Sequence, residues 1–372
     1  MRKKLLFCDD AHTFGGAQKA LKKLVELFSN ENNYEVYVAI SFKNKLLYDE
    51  FSDIKNIKLI DGYQVKKFSA ITSHFDKKQY KTAKKIIDNI NLNVALLNLS
   101  GIEFGINYSK ALKISKVPYI AWLHNSTSFT TMLSNSPIKT KILSYIRDKI
   151  ADNYLINSHG SLVLVSKSSY QEMIDRGSKK DCLTTIENPL PYIKNSILKE
   201  RDKKFIIGVF GRIQYCHKGQ DQIIKLLDKY KNQLSDVIFY IYGDGPDLQE
   251  LSKNSHSNQL IIKGWTNEVT IEMQKCDLIL IPSRFEGLSL VFLEAIALNK
   301  KILTSNISAF YLSHPEDIYE LDNIENLFQK LIEKYNSNFS HSENETYYSN
   351  LKQNLSEENW FLKFKEIIKS IE

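Results

Sequence analysis

IPSRFEGLSLVFLEAIALNKK, residues 281–301, reads as the end of a buried strand at Pro282-Ser283, a loop carrying Glu286-Gly287, and a helix opening near Ser289. The apolar run DLILIPS (277–283) that leads into it has the continuous hydrophobicity of a strand covered on both faces, as in a parallel sheet. Ligands of such sheets sit beyond the carboxyl ends of the strands. A helix N-terminus there offers free amides and the positive end of its dipole to a phosphate. Two carboxylates flank that point: Glu286 in the loop and Glu294 about a turn and a half into the helix. Each can take a hydroxylated group on its own side of the phosphate, which suits a sugar–diphosphate–ribose ligand. Alone, two glutamates at this spacing are solvated surface charges. The strand, the glycine loop and the helix start give them their meaning.

Working outward, GVFGRIQYCHKGQDQIIKLL (208–227) is a second strand end followed by cations. Gly211 permits close backbone approach, Arg212 can fork onto a diphosphate, and Lys218 adds a mobile point charge before a helix beginning near Gln220. Charge developing on a leaving nucleoside diphosphate needs such cations. YGDGPDLQEL (242–251) reads as strand, turn and helix with Pro246 in the first turn, and structure alone accounts for it. Gly15-Gly16 follows the first strand at the start of the first helix. It is not GxGxxG, so the dinucleotide fingerprint is absent.

Apolar runs alternate with helical patterns along the whole chain, the mark of α/β architecture with parallel sheets. KLLFC (4–8), YEVYVAISF (34–42), VALLNL (94–99), VPYIAWLH (117–124) and SLVLVS (161–166) form one series. FIIGVFG (205–211), DVIFYIYG (236–243), QLIIKG (259–264), DLILIPS (277–283) and KKILTS (300–305) form another. AQKALKKLVELF (17–28) is an amphipathic helix between strands. The Pro-containing segment 188–204 is the expected linker, so the reading is two consecutive doubly wound sheets. Residues 336–359 are polar and read as a loop or loose helix. Trp360, Phe361, Phe364, Ile367 and Ile368 line one apolar stripe of a closing helix, 358–372, that needs a partner.

A chain of 372 residues calls for two domains rather than one core. The apolar run near the start, LLFC, is too short for a signal peptide, and no window approaches the ~20 apolar residues of a membrane span. A cytoplasmic location is expected. Four scattered cysteines form no CxxC, and the eight histidines form no metal-binding spacing, so neither disulfides nor a metal site is expected. Residues 1–200 carry 30 Lys+Arg against 19 Asp+Glu, and the remainder 20 against 24. A basic N-terminal half invites an anionic partner, unless it only reflects a lysine-rich composition. The lysines are dispersed with no nucleic-acid-binding module around them, and no nucleic acid is expected.

The ordered set GG (15–16), His124 after a strand, ENPL (187–190), GRI…HKGQD (211–221), GDGP (243–246), KGW (263–265) and the Glu286/Glu294 pair within EGLSLVFLEA resembles family 4 retaining glycosyltransferases of the GT-B fold. The resemblance spans nearly the whole chain. It implies two facing Rossmann-like domains, 1–190 for the acceptor (with the returning helix 358–372) and 200–357 for the nucleotide-sugar, with the donor site in the cleft between them. By position it gives Glu286 the donor-sugar hydroxyls and Glu294 the ribose. Arg212 and Lys218 take the diphosphate together with the amides of Ser289 and Leu290. His124 lies near the reacting carbon, Gly15-Gly16 bring a loop close to the phosphates, and the base lies near Gly264, Trp265 and Thr266. Without the resemblance, His124 reads equally as a core histidine ending a strand. Three positions depart from the family pattern: Gln18 for the usual Glu, Asn299 for the usual Gly, and Lys300-Lys301 for Pro-Val.

The resemblance further implies retention of anomeric configuration without a metal or other cofactor, the nucleotide-sugar being a substrate. The expected reaction moves a hexose from UDP-galactose or UDP-glucose to an anionic lipid-linked, lipopolysaccharide or capsular acceptor. Peripheral contact with the cytoplasmic face of the inner membrane goes with it. The rivals are a sugar-nucleotide epimerase or phosphorylase of the same fold, and a non-catalytic donor- or glycan-binding partner of another transferase.

Overall fold

The computed structural model describes residues 2–12, 14–65, 75–126, 138–158, 161–191, 193, 204–254, 258–337 and 341–371. The chain divides into two compact units, Met1–Asn188 with Glu358–Glu372, and Pro189–Glu357. Most of the expected linker, residue 192 and 194–203, lies outside the described residues.

The first unit is built on β1 (Lys3–Cys8), β2 (Tyr34–Ile40), β3 (Ile57–Asp61), β4 (Val94–Leu99), β5 (Tyr119–Leu123), β6 (Leu162–Leu164) and β7 (Leu183–Thr185). They form one sheet in the order β3-β2-β1-β4-β5-β6-β7, every pair parallel. The second unit uses β8 (Phe205–Phe210), β9 (Val237–Tyr242), β10 (Leu260–Gly264), β11 (Leu278–Ile281), β12 (Lys301–Ser305) and β13 (Ile318–Tyr319), in the order β10-β9-β8-β11-β12-β13, again parallel throughout. In each sheet successive strands are laid first to one side and then to the other, so the order reverses once. The reversal lies between β1 and β4 in one sheet and between β8 and β11 in the other, and these are the points where ligands bind in doubly wound sheets.

The central strands are apolar because both faces are covered: all six residues of β4 are buried. Three strands escape the sequence pattern. β3, IKLID, lies at a sheet edge with Lys58 and Asp61 exposed and none of its residues fully buried, and β7 and β13 span only three and two residues. The first helix, Gly16–Ser29, buries Ala20, Leu21, Leu24, Val25 and Phe28, with Leu27 half-buried. The polar stretch read as a loop or loose helix carries the helix His341–Asn354. Pro246 stands two residues ahead of its helix, Leu248–Asn254, rather than in its first turn, because Gly245 and Pro246 are still part of the turn.

The closing helix, Glu357–Ile371, buries Trp360, Phe364 and Ile368, one residue per turn on a single face. Its partner is the first unit's own sheet. Trp122 of β5 meets Phe364 with ring centroids 4.8 Å apart and Trp360 at 5.9 Å, and Phe28 meets Phe361 at 4.9 Å. Each such aromatic buries ~150–250 Å², enough to hold the end of the chain to the first unit.

Candidate active site

In the second unit, Gly211, Gly243 and Gly264 stand at the ends of the adjacent strands β8, β9 and β10, all with positive φ (133°, 147° and 75°). The Gly211 amide donates to the Tyr242 carbonyl at 3.0 Å and the Gly243 amide to that of Gly264 at 2.8 Å. A Cβ on Gly243 would lie 1.9 Å from the Gly211 carbonyl oxygen. The two loops therefore touch backbone to backbone, which is the physical content of the GDGP turn.

Across the order reversal, β11 feeds the loop that bears Glu286. Lys218, the last residue of the short helix Tyr215–Lys218, places its Nζ 2.6 Å from Glu286 Oε1, and Ser283 Oγ donates to the same oxygen at 2.7 Å. Both side chains are largely covered, 19% and 9% exposed. The Lys218 stem passes over Gly211, whose added Cβ would sit 3.9 Å from Lys218 Cε. Burial alone would raise the Glu286 pKa. The charges of Lys218 and His217, with the hydrogen bonds from Lys218 and Ser283, outweigh it and hold the carboxyl below its usual range. Arg212 is exposed and forms no ion pair among the described residues. Its carbonyl accepts from Gln220 Nε2 at 2.9 Å.

Ser289 is the N-cap of the helix Leu290–Ala297, its side chain accepting from the Phe292 amide. The Ser289 and Leu290 amides lie at the head of that helix, where the ladder leaves donors unused. Glu294 is half-buried on the helix. Asn299, at φ 54°, ends the helix in the left-handed conformation. The Lys300 amide donates to Ala295 and the Asn299 amide to Ile296, a Schellman closure that asparagine tolerates. Trp265, 63% exposed, follows β10 with Nε1 donating to Asn267 Oδ1 at 3.1 Å, and Thr266 Oγ1 accepts from the Glu268 amide.

The residues that hold these groups in place went unread in the sequence. Arg284 forks onto Asp221 at 2.7 and 2.9 Å and also donates to Asp322 and the Tyr215 carbonyl. Its amide donates to the His217 carbonyl at 2.8 Å. The Gln222 amide nitrogen donates to the Pro282 carbonyl at 2.9 Å, while its oxygen accepts from Tyr319 at 3.0 Å. The two residues clamp the Lys218 loop to the Glu286 loop. Paired Arg and Asp this far apart in sequence give no local signal.

In the first unit, Gly15 and Gly16 begin the first helix at the carboxyl end of β1. Gly15 is extended (φ −156°), and a Cβ there would meet only Gln18 Oε1 at 3.7 Å, so no contact in its own unit demands glycine. Gln18 Oε1 accepts the Gly15 amide at 3.0 Å, and Nε2 donates to Asp9 Oδ2 at 2.9 Å and Ser100 Oγ at 2.7 Å. Asn98 Nδ2 donates to Asp9 Oδ2 at 2.6 Å, and Asn98 Oδ1 lies 2.8 Å from His124 Nε2. His124 follows β5 half-buried, its ring against Trp122 with centroids 4.2 Å apart. Burial pushes its pKa well down, so the ring is neutral. Asp9 and Asp10 are both buried. Burial raises Asp9 against hydrogen bonds from Asn98, Ala11 and Gln18 that lower it. Burial first and then the Asp9 charge push Asp10 up to about 8. Asn98, a polar residue inside an otherwise apolar strand, was the legible sign of this cluster.

The structure thus brings Gly211, Lys218 and Glu286 together in one unit, and His124 with the Gly15 turn, through Asn98, Asp9 and Gln18, in the other. Among the described residues no helix is long and apolar enough to cross a membrane.

Residues 193–312 match the family described as glycosyl transferases group 1. An uncharacterized glycosyltransferase of Methanocaldococcus jannaschii is 23% identical over 70% of this chain and 70% of its own length. Lipopolysaccharide 1,6-galactosyltransferase of Escherichia coli K12 is 26% identical over 49% of this chain and 54% of its own. The crystal structure of Anabaena Alr3699/HepE in complex with UDP-glucose superposes with a TM-score of 0.73 at 15% identity, covering 99% of each chain. With two doubly wound parallel sheets of the GT-B fold and a glycosyl transferases group 1 domain in its C-terminal unit, the chain is a sugar-transferring enzyme.

Proposed function

We propose that the enzyme moves a hexose from UDP-galactose or UDP-glucose, with retention and without a metal ion, to an anionic lipid-linked, lipopolysaccharide or capsular glycan. The observation that carries this reading is the Lys218–Glu286 pair over Gly211 at the order reversal of the second sheet. A diphosphate has its cations there in Lys218 and in Arg212, which forms no ion pair among the described residues, its amides in Ser289 and Leu290, and carboxylates on either side in Glu286 and Glu294. Exposed Trp265 offers a face to the base. The HepE complex with UDP-glucose and the galactosyltransferase relative support the choice of donor.

In this reading the bond from the anomeric carbon to the UDP oxygen breaks while the acceptor oxygen bonds to that carbon on the same face. The acceptor proton passes to the departing phosphate oxygen, and Arg212 and Lys218 stabilise the charge left on UDP. Neutral His124 contributes hydrogen bonding rather than charge. The first unit, Met1–Asn188 with Glu358–Glu372, takes the role of acceptor domain and the second, Pro189–Glu357, that of donor domain.

Two features support an anionic, membrane-borne acceptor. Lys77, Lys78, Lys81 and Lys85 line a surface depression of about 450 Å³ on the helix Lys77–Ile90. The helix Ile138–Ser158 exposes Ile138, Ile142, Leu143, Tyr145 and Ile146 beside Lys139, Lys141 and Lys149, the composition of a surface that rests on an anionic bilayer.

The test is a thermal-shift and hydrolysis screen against UDP-, GDP-, ADP- and TDP-sugars in EDTA, with the anomer of the transferred sugar read by NMR. Stabilisation by a UDP-hexose with slow sugar release supports the proposal. Stabilisation by no sugar nucleotide sinks it, and release of an altered sugar nucleotide without acceptor points to an epimerase.

A further inference from the structure

We infer that Asp9, Asn98 and Gln18 are positioning residues that fix His124 as its Nε2–H tautomer, so that Nδ1 meets a ligand only as a hydrogen-bond acceptor. This rests on the reading above that His124 faces the donor. The polarity of the chain, however, follows from groups that have no choice of role.

A backbone N–H can only donate and a carbonyl can only accept. The Gly15 amide donates to Gln18 Oε1, so the Gln18 nitrogen must be the atom turned to Asp9 and Ser100. The Ala11 amide donates to Asp9 Oδ1 at 2.8 Å. Asp9 Oδ2 takes the Gln18 and Asn98 nitrogens, so both carboxyl oxygens already serve as acceptors. Asn98 Nδ2 is held toward Asp9 and also reaches the Ala17 carbonyl at 3.4 Å. If Asn98 were flipped, its oxygen would face two acceptors. Asn98 therefore presents Oδ1 to His124, and the atom at 2.8 Å, Nε2, must carry the proton.

In a neutral ring the remaining nitrogen has only a lone pair. Nδ1, which has no hydrogen-bond partner among the described residues, repels a phosphate oxygen and accepts from a hydroxyl. The partner it selects is thus a hydroxyl of the sugar and not the diphosphate. The same polarity explains Gln18. A glutamate there could still accept the Gly15 amide, but its second oxygen would face the Asp9 carboxylate.

The test uses the full chain labelled with ¹⁵N at histidine, with His124 assigned by comparison with His124→Gln. The wild-type protein at pH 7 is expected to show the Nε2–H tautomer alone. Asn98→Leu is expected to mix the tautomers and to lower kcat/KM for the donor by roughly tenfold, the loss of one hydrogen bond. Asp9→Asn should keep more of the Nε2–H form than Asp9→Leu. A wild-type ring protonated at Nδ1, or at both nitrogens, overturns the inference, as does an unchanged tautomer with unchanged kcat/KM in Asn98→Leu. The Nε2–H tautomer in a wild-type protein that turns over no sugar nucleotide upholds it and overturns the transferase reading instead.

Discussion

Lys218 Nζ lies 2.6 Å from Glu286 Oε1 across 68 residues of chain, so the side chains that the family resemblance assigns to the diphosphate and to the sugar already neutralise each other. Lys218→Met leaves a largely buried carboxylate without its cation. Donor turnover is expected to fall at least about 100-fold, with about 1–3 kcal/mol of stability lost. The pair also sets a pH dependence. Glu286 is held below its unfolded value, so its contribution is complete above the ordinary carboxylate range and vanishes as pH falls through the lower folded value. Acid melts should therefore show the stability gap between wild type and Lys218→Met narrowing as pH falls, because without the cation burial pushes the Glu286 carboxyl up and it takes a proton instead. A gap that does not change with pH would mean that the pair contributes no coupling.

Arg284 touches neither group, yet it ties the loop of one to the loop of the other. Arg284→Met is expected to raise the donor KM about tenfold and to lower stability by about 1.5–3 kcal/mol, the range for hydrogen bonds to charged groups. Calorimetry with UDP separates the two effects. Unchanged affinity in a folded variant would show that the clamp does not position the site.

Glycine tests the close approach of the loops. Gly243→Ala meets the Gly211 carbonyl at 1.9 Å at an unfavourable φ, whereas Gly264→Ala has a positive φ and nothing within 4 Å. The second change should cost about 1–2 kcal/mol, the left-handed strain alone, and the first distinctly more, with loss of UDP binding. Equal melting temperatures for the two variants would refute the backbone contact.

The exposed apolar and basic residues of the helix Ile138–Ser158 predict co-sedimentation with vesicles containing phosphatidylglycerol but not with pure phosphatidylcholine. Lys139→Glu with Lys141→Glu should weaken binding by roughly thirtyfold or more, at about 1 kcal/mol per basic residue near the surface. Binding that ignores both the lipid charge and the two substitutions would remove the membrane from the proposed function.

Strands buried on both faces announce themselves as apolar runs, so β1, β2, β4, β5, β6 and β8 to β12 were legible in the sequence. β3, β7 and β13 were not, because each is an edge strand that needs no second apolar face. In the site, Arg212, Lys218, Glu286 and Glu294 stand at fixed offsets from strand ends, which made them readable. The groups that hold them, Arg284 with Asp221 and Gln222 with Pro282, come together only when β8 and β11 become neighbours. Gln18 was visible only as a departure from a pattern, and its reason, the Asp9 carboxylate facing it, belongs to the fold.

Asp10 is a strongly perturbed carboxyl that the site reading leaves unused. It is buried beside Asp9, and both its oxygens accept from the Gly105 amide, at 3.0 and 3.1 Å. Burial and the Asp9 charge push its folded pKa up to about 8, far above the ordinary carboxylate value. Between those values the unfolded chain has released a proton that the folded chain keeps, so stability is full at the acid end and is lost as pH rises through the folded value. Asp10→Asn keeps the acceptor for Gly105 and cannot ionise. It should flatten the alkaline limb of the stability curve and raise the melting temperature at pH 8 more than at pH 5. The comparison is a pair of melts of the two proteins at each pH. A melting-temperature difference that does not change between pH 5 and 8 would show that Asp10 titrates as an ordinary carboxyl and that the buried acidic pair is not strained.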